Sequence, residues 1–330
     1  MNWQSIKKPT YTAGRIVFNS DDGRLWDYSR YFKTIQKAIT QGNQFNPSKS
    51  GIFCPAVNTA YTEEKTIGMH ESVGQPVMSW QMLKEIANKG GEILSHGKWH
   101  LYMSGAPISQ ALEVGATRIY FNQSNSQPIA GIKLFITDGK NRDDFTVSAY
   151  TITSGNNGYM DIDTPLTHSY TTSATINVHE DSMALQLGGI VKDLANHGIV
   201  CKHHINAWYY HSPTSLPYLK QYFESVLIDS QSSVAPNYKG KRDVISPIIV
   251  AKDLYNIKRQ ADLRHFSTED MDILVENLKS TDGVSFIQMH GAYDKVCIAN
   301  IDYLITKALS EGVRIVTHDE AIQFLKSKIA

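Results

Sequence analysis

The stretch Gly90-Gly91-Glu92-Ile93-Leu94-Ser95-His96-Gly97-Lys98-Trp99-His100 joins a short apolar segment to two histidines that are four residues apart. The apolar segment predicts a buried strand, and one turn of helix after it would place both imidazoles on one face, about 5–6 Å apart at Cβ. Two imidazoles at that spacing can bind one divalent ion. A catalytic zinc usually has three protein ligands, so a third ligand must come from another segment.

A candidate for the third ligand lies near the start of the chain. Arg15-Ile16-Val17-Phe18 predicts a buried strand, and it runs into Asn19-Ser20-Asp21-Asp22-Gly23. Two adjacent carboxylates at a strand end are costly unless a cation lies beside them. Neighbouring side chains on an extended strand end point to different sides, so we expect only one aspartate to bind an ion directly.

The composition is that of a folded chain without an overall charge. The 330 residues are 42% hydrophobic and include 32 basic and 32 acidic side chains. This balance indicates no nucleic acid partner, because no net field attracts a polyanion. No segment has the roughly 18 apolar residues of a membrane span, and the first eight residues lack the apolar stretch of a signal peptide, so we expect neither feature. Cys54, Cys201 and Cys297 are far apart in sequence, which predicts reduced core cysteines.

Helical and strand patterns alternate along most of the chain, but the middle segment has a different sequence pattern. Helical spacing in 27–42, 79–89 and 216–227 accompanies apolar strands, which predicts parallel β/α units with their chemistry at the carboxyl ends of the strands. Between about 105 and 182 the segments are short, threonine-rich and β-like. We therefore predict an α/β domain made of residues 1–104 and 183–330, with an all-β insertion made of residues 105–182.

Three segments together resemble a known enzyme family. Phe18 to Gly23, Gly91 to His100 and Phe286-Ile287-Gln288-Met289-His290 are similar, in that order, to the first, second and fifth motifs of the polysaccharide deacetylases. These are the NodB-homology enzymes of carbohydrate esterase family 4. The resemblance covers about residues 14–103 and 184–325. It implies a distorted (β/α) barrel of the NodB-homology type as the catalytic domain, carrying the inserted all-β module.

The resemblance implies a role for each matching residue. Asp22, His96 and His100 become the metal ligands, Asp21 the general base and His290 the general acid. Zinc is the first choice of metal, although cobalt, nickel or manganese also suit two histidines and a carboxylate. A metal held by these groups would polarise an acetyl carbonyl and lower the pKa of water, which a neighbouring carboxylate can deprotonate.

The remaining family motifs match poorly. The third motif, an arginine followed two residues later by proline, finds only His211-Ser212-Pro213, so the arginine that usually orients the base is missing. If that alignment holds, His211 and the backbone N–H of Thr214 are candidate substrate-binding groups. Arg242 or Asp243 could stand in for the fourth motif.

Gly97 and Trp99 lie inside the histidine motif, between the two histidines. Gly97 occupies the place where the family usually has serine or threonine. Trp99 is a candidate substrate-binding residue, because an aromatic face suits the C–H face of a sugar, with core packing as the alternative. We assign the other strand histidines, His203, His204 and His318, to structural roles.

These features predict a metal-dependent hydrolase that removes N- or O-linked acetyl groups from an acetylated polysaccharide. By analogy, an all-β insertion in a glycan-active chain suits a virion or phage-tail enzyme that acts on a host surface glycan; a secreted bacterial enzyme expressed without its leader is the alternative. Two other functions stay open: a small-molecule amidase of the same fold, and a glycan-binding or adhesin domain that has lost turnover. The sequence does not specify the glycan or the oligomeric state.

Overall fold

A computed structural model of the chain describes residues 14–42, 52–70, 74–101, 105–121, 129–154, 157–207, 215–228, 248–251, 254–258, 260–281, 283–289 and 295–329. The strands are β1 Arg15–Ser20, β2 Cys54–Val57, β3 Gly68–His70, β4 Gln75–Val77, β5 Leu94–Ser95, β6 Ala106–Pro107, β7 Arg118–Phe121, β8 Lys133–Thr137, β9 Arg142–Ser154, β10 Asn157–Ile162, β11 Thr175–Val178, β12 His203–Ile205, β13 Ser225–Ile228, β14 Ile248–Ala251, β15 Leu254–Lys258, β16 Gln260–Asp262, β17 Val284–Met289 and β18 Arg314–Ile315. The helices are α1 Lys33–Gly42, which follows a π-helical turn at Asp27–Phe32, α2 Trp80–Asn88, α3 Glu180–Asn196, α4 Leu216–Tyr222, α5 Thr268–Ser280, α6 Lys295–Ser310 and α7 His318–Ile329.

The larger sheet has ten strands in the order β14-β15-β13-β12-β5-β2-β1-β17-β16, with β18 also paired to β1. Its strand pairs are parallel except for β14 with β15, which is antiparallel. The sheet curls into part of a barrel. The predicted distorted (β/α) barrel is therefore confirmed. In such a barrel the carboxyl ends of the strands form one face, which is where ligands bind.

The inside of this barrel is apolar and is closed by the last helix. Along β1, Val17 points inward, whereas Ile16 and Phe18 belong to the cluster that packs against the outer helices. The inward cluster also contains Ile322 and its neighbours on α7. The guanidinium of Arg15 lies 3.4 Å from the ring centre of Phe324 on the same helix. Since Arg15 begins β1, α7 packs against the amino-terminal side of the barrel, away from the strand ends that carry the candidate site.

A six-stranded antiparallel sheet lies between the first and second parts of the barrel sequence. Its order is β6-β11-β8-β9-β10-β7, and buried and solvent-facing positions alternate along β10. The backbone N–H of Lys133 on β8 donates to Ser182 Oγ on α3 at 3.0 Å. The buried residues of the six-stranded sheet belong to the same hydrophobic cluster as the residues between the barrel strands and the outer helices. That residues 105–182 form a domain of their own remains a prediction.

One expectation about secondary structure is wrong. The helix predicted over 216–227 ends at Tyr222, and β13 follows it, because an apolar run such as Ser225–Ile228 suits a buried strand as well as a helix. Strands β14 to β16 were not predicted at all. The three cysteines are buried and form no disulfide among the described residues, as expected. Among the described residues, no helix combines the length and the apolar character that a bilayer crossing needs.

We predict that Ile322→Ala lowers the free energy of unfolding by about 2–5 kcal/mol, because it leaves a cavity where α7 closes the barrel. Ile322 is fully buried in the inward cluster. Urea denaturation measures the change. Ser327→Ala, at an exposed position of the same helix, is the control and should change stability by no more than about 0.5 kcal/mol. Equal effects of the two variants would contradict this packing of α7.

Candidate metal centre

The aspartate pair lies in a sharp turn directly after β1. Asp22 has φ of +70°, and it is the only residue other than glycine with a positive φ in the described part of the chain. Aspartate tolerates this left-handed conformation better than most residues. At Gly23, which also has a positive φ, a Cβ would lie 2.9 Å from Val57 Cγ1. The expectation of an extended strand end is therefore wrong: the strand stops at Ser20, and the turn separates the two carboxylates.

The two histidines are brought together by an irregular loop and not by a turn of helix. Strand β5 ends at Ser95, and residues 96–100 have no regular structure. The amide nitrogen of Asn58, which follows β2, donates to the carbonyl oxygens of His96 at 2.8 Å and of Gly97 at 3.0 Å. The imidazole centres of His96 and His100 lie 5.0 Å apart. The predicted pairing of the rings is present, but tertiary hydrogen bonds maintain it.

A buried glutamine on α3 supports the other side of this loop. Gln186 accepts from the backbone N–H of Trp99 through Oε1 at 2.8 Å, donates from Nε2 to the Trp99 carbonyl oxygen, and accepts from the N–H of Lys98 through its own carbonyl oxygen at 2.8 Å. Gly97 has φ of +86°, and a Cβ there would overlap the Gln186 amide. Glycine is therefore required where the resembling family usually has serine or threonine.

Three ligand atoms converge between the two motifs. Asp22 Oδ1 lies 3.4 Å from His96 Nε2 and 3.2 Å from His100 Nε2, and all three side chains are buried. Ligands about 2.0–2.2 Å from one tetrahedral ion lie roughly 3.3 Å from each other. A charge-assisted hydrogen bond between nitrogen and oxygen is shorter, about 2.7–2.9 Å. The spacing therefore fits shared ligands of one ion better than direct ion pairs.

The hydrogen bond on the far side of His96 defines its tautomer. His96 Nδ1 lies 2.8 Å from the carbonyl oxygen of Ile205, the last residue of β12. A carbonyl oxygen can only accept, so Nδ1 carries the hydrogen and Nε2 of the neutral ring presents a lone pair to Asp22 Oδ1. A lone pair facing a carboxylate oxygen requires a cation or a proton between them. Backbone support of this kind is usual for metal-binding histidines.

The electrostatics of the site also favour a cation. Burial opposes the ionisation of Asp22, but His100, His96 and Arg24 outweigh it and hold the pKa of Asp22 well below its usual range. Burial likewise opposes the charged form of His96, yet the neighbouring carboxylates of Asp22 and Asp21 raise its pKa, so the pocket favours a positive charge at this point. Asp21 and Asp22 are both buried and adjoin one buried guanidinium. A divalent cation would balance this excess of negative charge, so the residues present fit a metal.

The other member of the pair has different partners. Gln288 Nε2, on β17, donates to Asp21 Oδ2 at 3.3 Å. Asp21 contributes no atom to the group formed by Asp22, His96 and His100, which is the single cluster of three potential metal ligands in the part of the chain that the structure describes. This arrangement suits a base beside a metal, which is the role that the resemblance implies for Asp21.

The structure brings together four of the eight predicted site residues, namely Asp21, Asp22, His96 and His100. Trp99 lies in the same loop and is half-buried, with the Lys98 ammonium 5.7 Å from its ring centre. His290, His211 and Thr214, as well as Arg242 and Asp243, lie outside the described residues. The roles assigned to all of these residues stay predictions.

Sequence reasoning did not identify the residues that support the site. Asn58 and Gln288 could have been found, because each is a polar residue at the carboxyl end of an apolar run. Arg24 follows the aspartate pair and could have been found by its position. Gln186 gives no such signal, since it is one polar residue inside an amphipathic helix.

No protein-family model matches this sequence, and no curated protein sequence matches it significantly. Solved structures do resemble the fold. One is a protein described as a candidate polysaccharide deacetylase from Mycobacterium smegmatis, 10% identical over 98% of this chain and 94% of its own, with a TM-score of 0.50. A family 4 carbohydrate esterase from Streptomyces lividans in complex with acetate is 10% identical over 93% of this chain and 92% of its own, with a TM-score of 0.42. A pyruvate kinase from Cryptosporidium parvum has a TM-score of 0.33 at 10% identity, over 93% of this chain and 70% of its own.

The Mycobacterium smegmatis structure confirms the predicted resemblance at the level of the fold, a distorted (β/α) barrel of the NodB-homology type. The two lower scores add nothing to this argument. At 10% identity the likeness concerns the fold alone, and the chemistry depends on the side chains of the site.

We predict that Gly97→Ala costs about 1–3 kcal/mol of stability and lowers metal affinity, because the new Cβ displaces Gln186 and with it the loop that carries both histidines. Gly139→Ala is a matched control: Gly139 has φ of +88°, but a Cβ there would meet nothing within 4 Å. Thermal melting of the apoprotein and zinc competition with a chelator measure the two effects. Equal metal affinity in the two variants would show that the Gln186 contact does not support the site.

Proposed function

We propose that this chain is a metal-dependent hydrolase that removes acetyl groups from a polysaccharide. The observation that carries the proposal is the convergence of Asp22 Oδ1, His96 Nε2 and His100 Nε2 at the mouth of a deacetylase-like barrel. One carboxylate and two imidazoles are a donor set typical of catalytic zinc, and cobalt, nickel or manganese can occupy the same set. A divalent ion at these atoms would polarise the acetyl carbonyl and make an attacking water more acidic.

Asp21 is the proposed proton acceptor. Gln288 restrains its carboxylate through Oδ2, and Asp21 adjoins Asp22. When water adds to the acetyl carbon, Asp21 takes one of its protons. His290 is the proposed donor of the proton that the departing amine or alkoxide needs when its bond to the acetyl carbon breaks. It directly follows Met289, the residue of β17 that pairs with Ser20 next to Asp21.

The proposed substrate is a polymer, with Trp99 as a contact for a sugar ring. Gln186 binds both the N–H and the carbonyl oxygen of Trp99, while the Trp99 side chain is only half-buried in the loop that carries His96 and His100. A rigid aromatic at the edge of a polar site suits sugar stacking. We extend the proposal to a virion or tail-associated enzyme that acts on a host surface glycan. This extension rests on analogy, because an all-β insertion in a glycan-active chain suits such an enzyme.

We predict that the purified protein binds about one divalent ion per chain and releases acetate from an acetylated glycan. Asp22→Ala and His96→Ala should lose both metal and turnover, because each removes a ligand. Asp21→Asn should keep the metal and lose about 10²–10⁴-fold in rate, because it removes only the base. Metal content by elemental analysis and acetate release by a coupled assay are measured on the same samples.

The outcomes of this experiment separate the competing functions. Metal binding without release of acetate from any glycan would favour a glycan-binding domain, and hydrolysis of small cyclic amides alone would favour an amidase. Equal metal content in wild type and His96→Ala would remove the metal centre. If Asp21→Asn lost its metal while Asp22→Ala kept it, the two aspartates would have exchanged roles.

We predict that Trp99→Ala raises KM for a polymeric substrate roughly 3- to 10-fold, or about 0.6–1.4 kcal/mol, and leaves kcat for a small acetylated substrate nearly unchanged. Trp99→Phe, which keeps an aromatic face, is the control and should restore most of the polymer affinity. Steady-state kinetics with both substrates test this. An equal loss with both substrates would mean that Trp99 only packs the loop.

A further inference from the structure

Arg24, the residue after Gly23, lies buried beside the candidate metal centre. Its side chain is only 10% exposed, which is unusual for an arginine. The charges of Asp22 and Asp27, which adjoin it, outweigh the cost of its burial and raise its pKa further. The groups that contact this buried, permanently charged guanidinium therefore stabilise its charge.

The contacts of Arg24 with Asp22 go to one oxygen of the carboxylate. Arg24 Nε lies 3.0 Å from Asp22 Oδ2, and Arg24 Nη2 donates to the same Oδ2. The other oxygen, Oδ1, is the atom near His96 Nε2 and His100 Nε2. The two oxygens of Asp22 are therefore divided between two different sets of partners.

The backbone of Arg24 is held in place independently of Asp22. Its N–H donates to Asp27 Oδ2 at 3.0 Å, its carbonyl oxygen accepts from the Asp27 N–H at 3.0 Å, and it forms a β-bridge with Val77. Arg24 thus presents its guanidinium from a rigid base. Asp22, by contrast, lies in a left-handed turn whose backbone alone does not determine the side-chain rotamer.

We propose that Arg24 is a positioning residue that occupies Oδ2 of Asp22 and so makes Asp22 a one-oxygen ligand through Oδ1. This inference rests on the proposed metal centre. The guanidinium of Arg24 reaches the aspartate pair from the same turn. The resembling family usually has an arginine in its third motif, and that arginine is missing from this sequence. Among the described residues, the hydrogen bonds of this guanidinium to the aspartate pair go to the ligand Asp22, while the base Asp21 contributes its negative charge nearby. A lysine keeps the charge but cannot direct two fixed donors to one oxygen.

The test is a cobalt titration of the apoprotein, since high-spin Co²⁺ absorbs visible light more weakly as its coordination number rises. Arg24→Met removes the donors that orient Asp22, so we expect Co²⁺ affinity to fall about 10- to 100-fold. It also makes Oδ2 available to the ion, so we expect the absorption band to weaken and shift. Arg24→Lys should recover part of the affinity but not the wild-type spectrum. Arg118→Met is the matched control, because Arg118 pairs with Asp161 on the surface of the six-stranded sheet.

Each outcome has one meaning. If Arg24→Met and Arg24→Lys lower the melting temperature of the apoprotein but keep the wild-type affinity and spectrum, Arg24 is only structural and the inference is wrong. If the wild type itself binds no Co²⁺ or Zn²⁺, the proposed metal centre fails and this inference fails with it. If Arg24→Met does not fold, the spectrum of Arg24→Lys decides: a wild-type spectrum overturns the inference, and an altered one supports it.

Discussion

The mouth of the barrel is organised around one electrostatic constraint, a buried carboxylate oxygen that faces two imidazole nitrogens. With the hydrogen of His96 committed to the carbonyl oxygen of Ile205, the nitrogen nearest Asp22 is an acceptor, and so is Asp22 Oδ1. Two acceptors about 3.4 Å apart in a buried site repel each other unless a positive charge lies between them. Asn58, Gln186, Arg24 and the turn at Asp22 all act to hold these atoms in that arrangement. A cation is thus the simplest partner for the geometry that the fold maintains.

The strand order explains how residues far apart in sequence meet at this point. Strands β1, β2 and β5 are neighbours, so the turn after β1, Asn58 after β2 and the histidine loop after β5 lie on one edge of the sheet. Along β1 the inward side chains change from Val17 to the polar Asn19, and Asp21 follows directly after the strand. The apolar layer beneath the polar one excludes water and lowers the local dielectric, which strengthens every charge interaction above it.

The sequence predicted which ligands meet but not how they are held. Apolar strands that end in Asp21-Asp22 and in His96 were enough to predict that these residues meet, because parallel strands bring their carboxyl ends to one edge of the sheet. The conformation of the histidine loop was missed because it depends on Gln186, which is about 90 residues away and belongs to a helix whose periodicity says nothing about its partner. The left-handed turn at Asp22 was missed for a related reason: the motif gives residue types, whereas the turn is accompanied by a close approach of Gly23 to Val57, which is distant in sequence.

The opposite end of the barrel contains a second group of buried histidines, and the comparison shows what distinguishes a site from a structural network. Ser225 Oγ lies 2.9 Å from His203 Nδ1 and 3.0 Å from His318 Nε2, and His203 Nε2 lies 3.4 Å from Asp319 Oδ1. Ser225 Oγ can donate to His203 Nδ1 and accept from His318 Nε2, which leaves the hydrogen of His203 on Nε2 to donate to Asp319, so all three contacts can be hydrogen bonds without an added cation. The network ties α7 to β12 and β13 at the end of the barrel that α7 closes. At the mouth, the hydrogen of neutral His96 is donated to Ile205, so no hydrogen of the ring lies between His96 Nε2 and Asp22 Oδ1, and this difference in donors, not the number of histidines, makes that end the candidate metal centre.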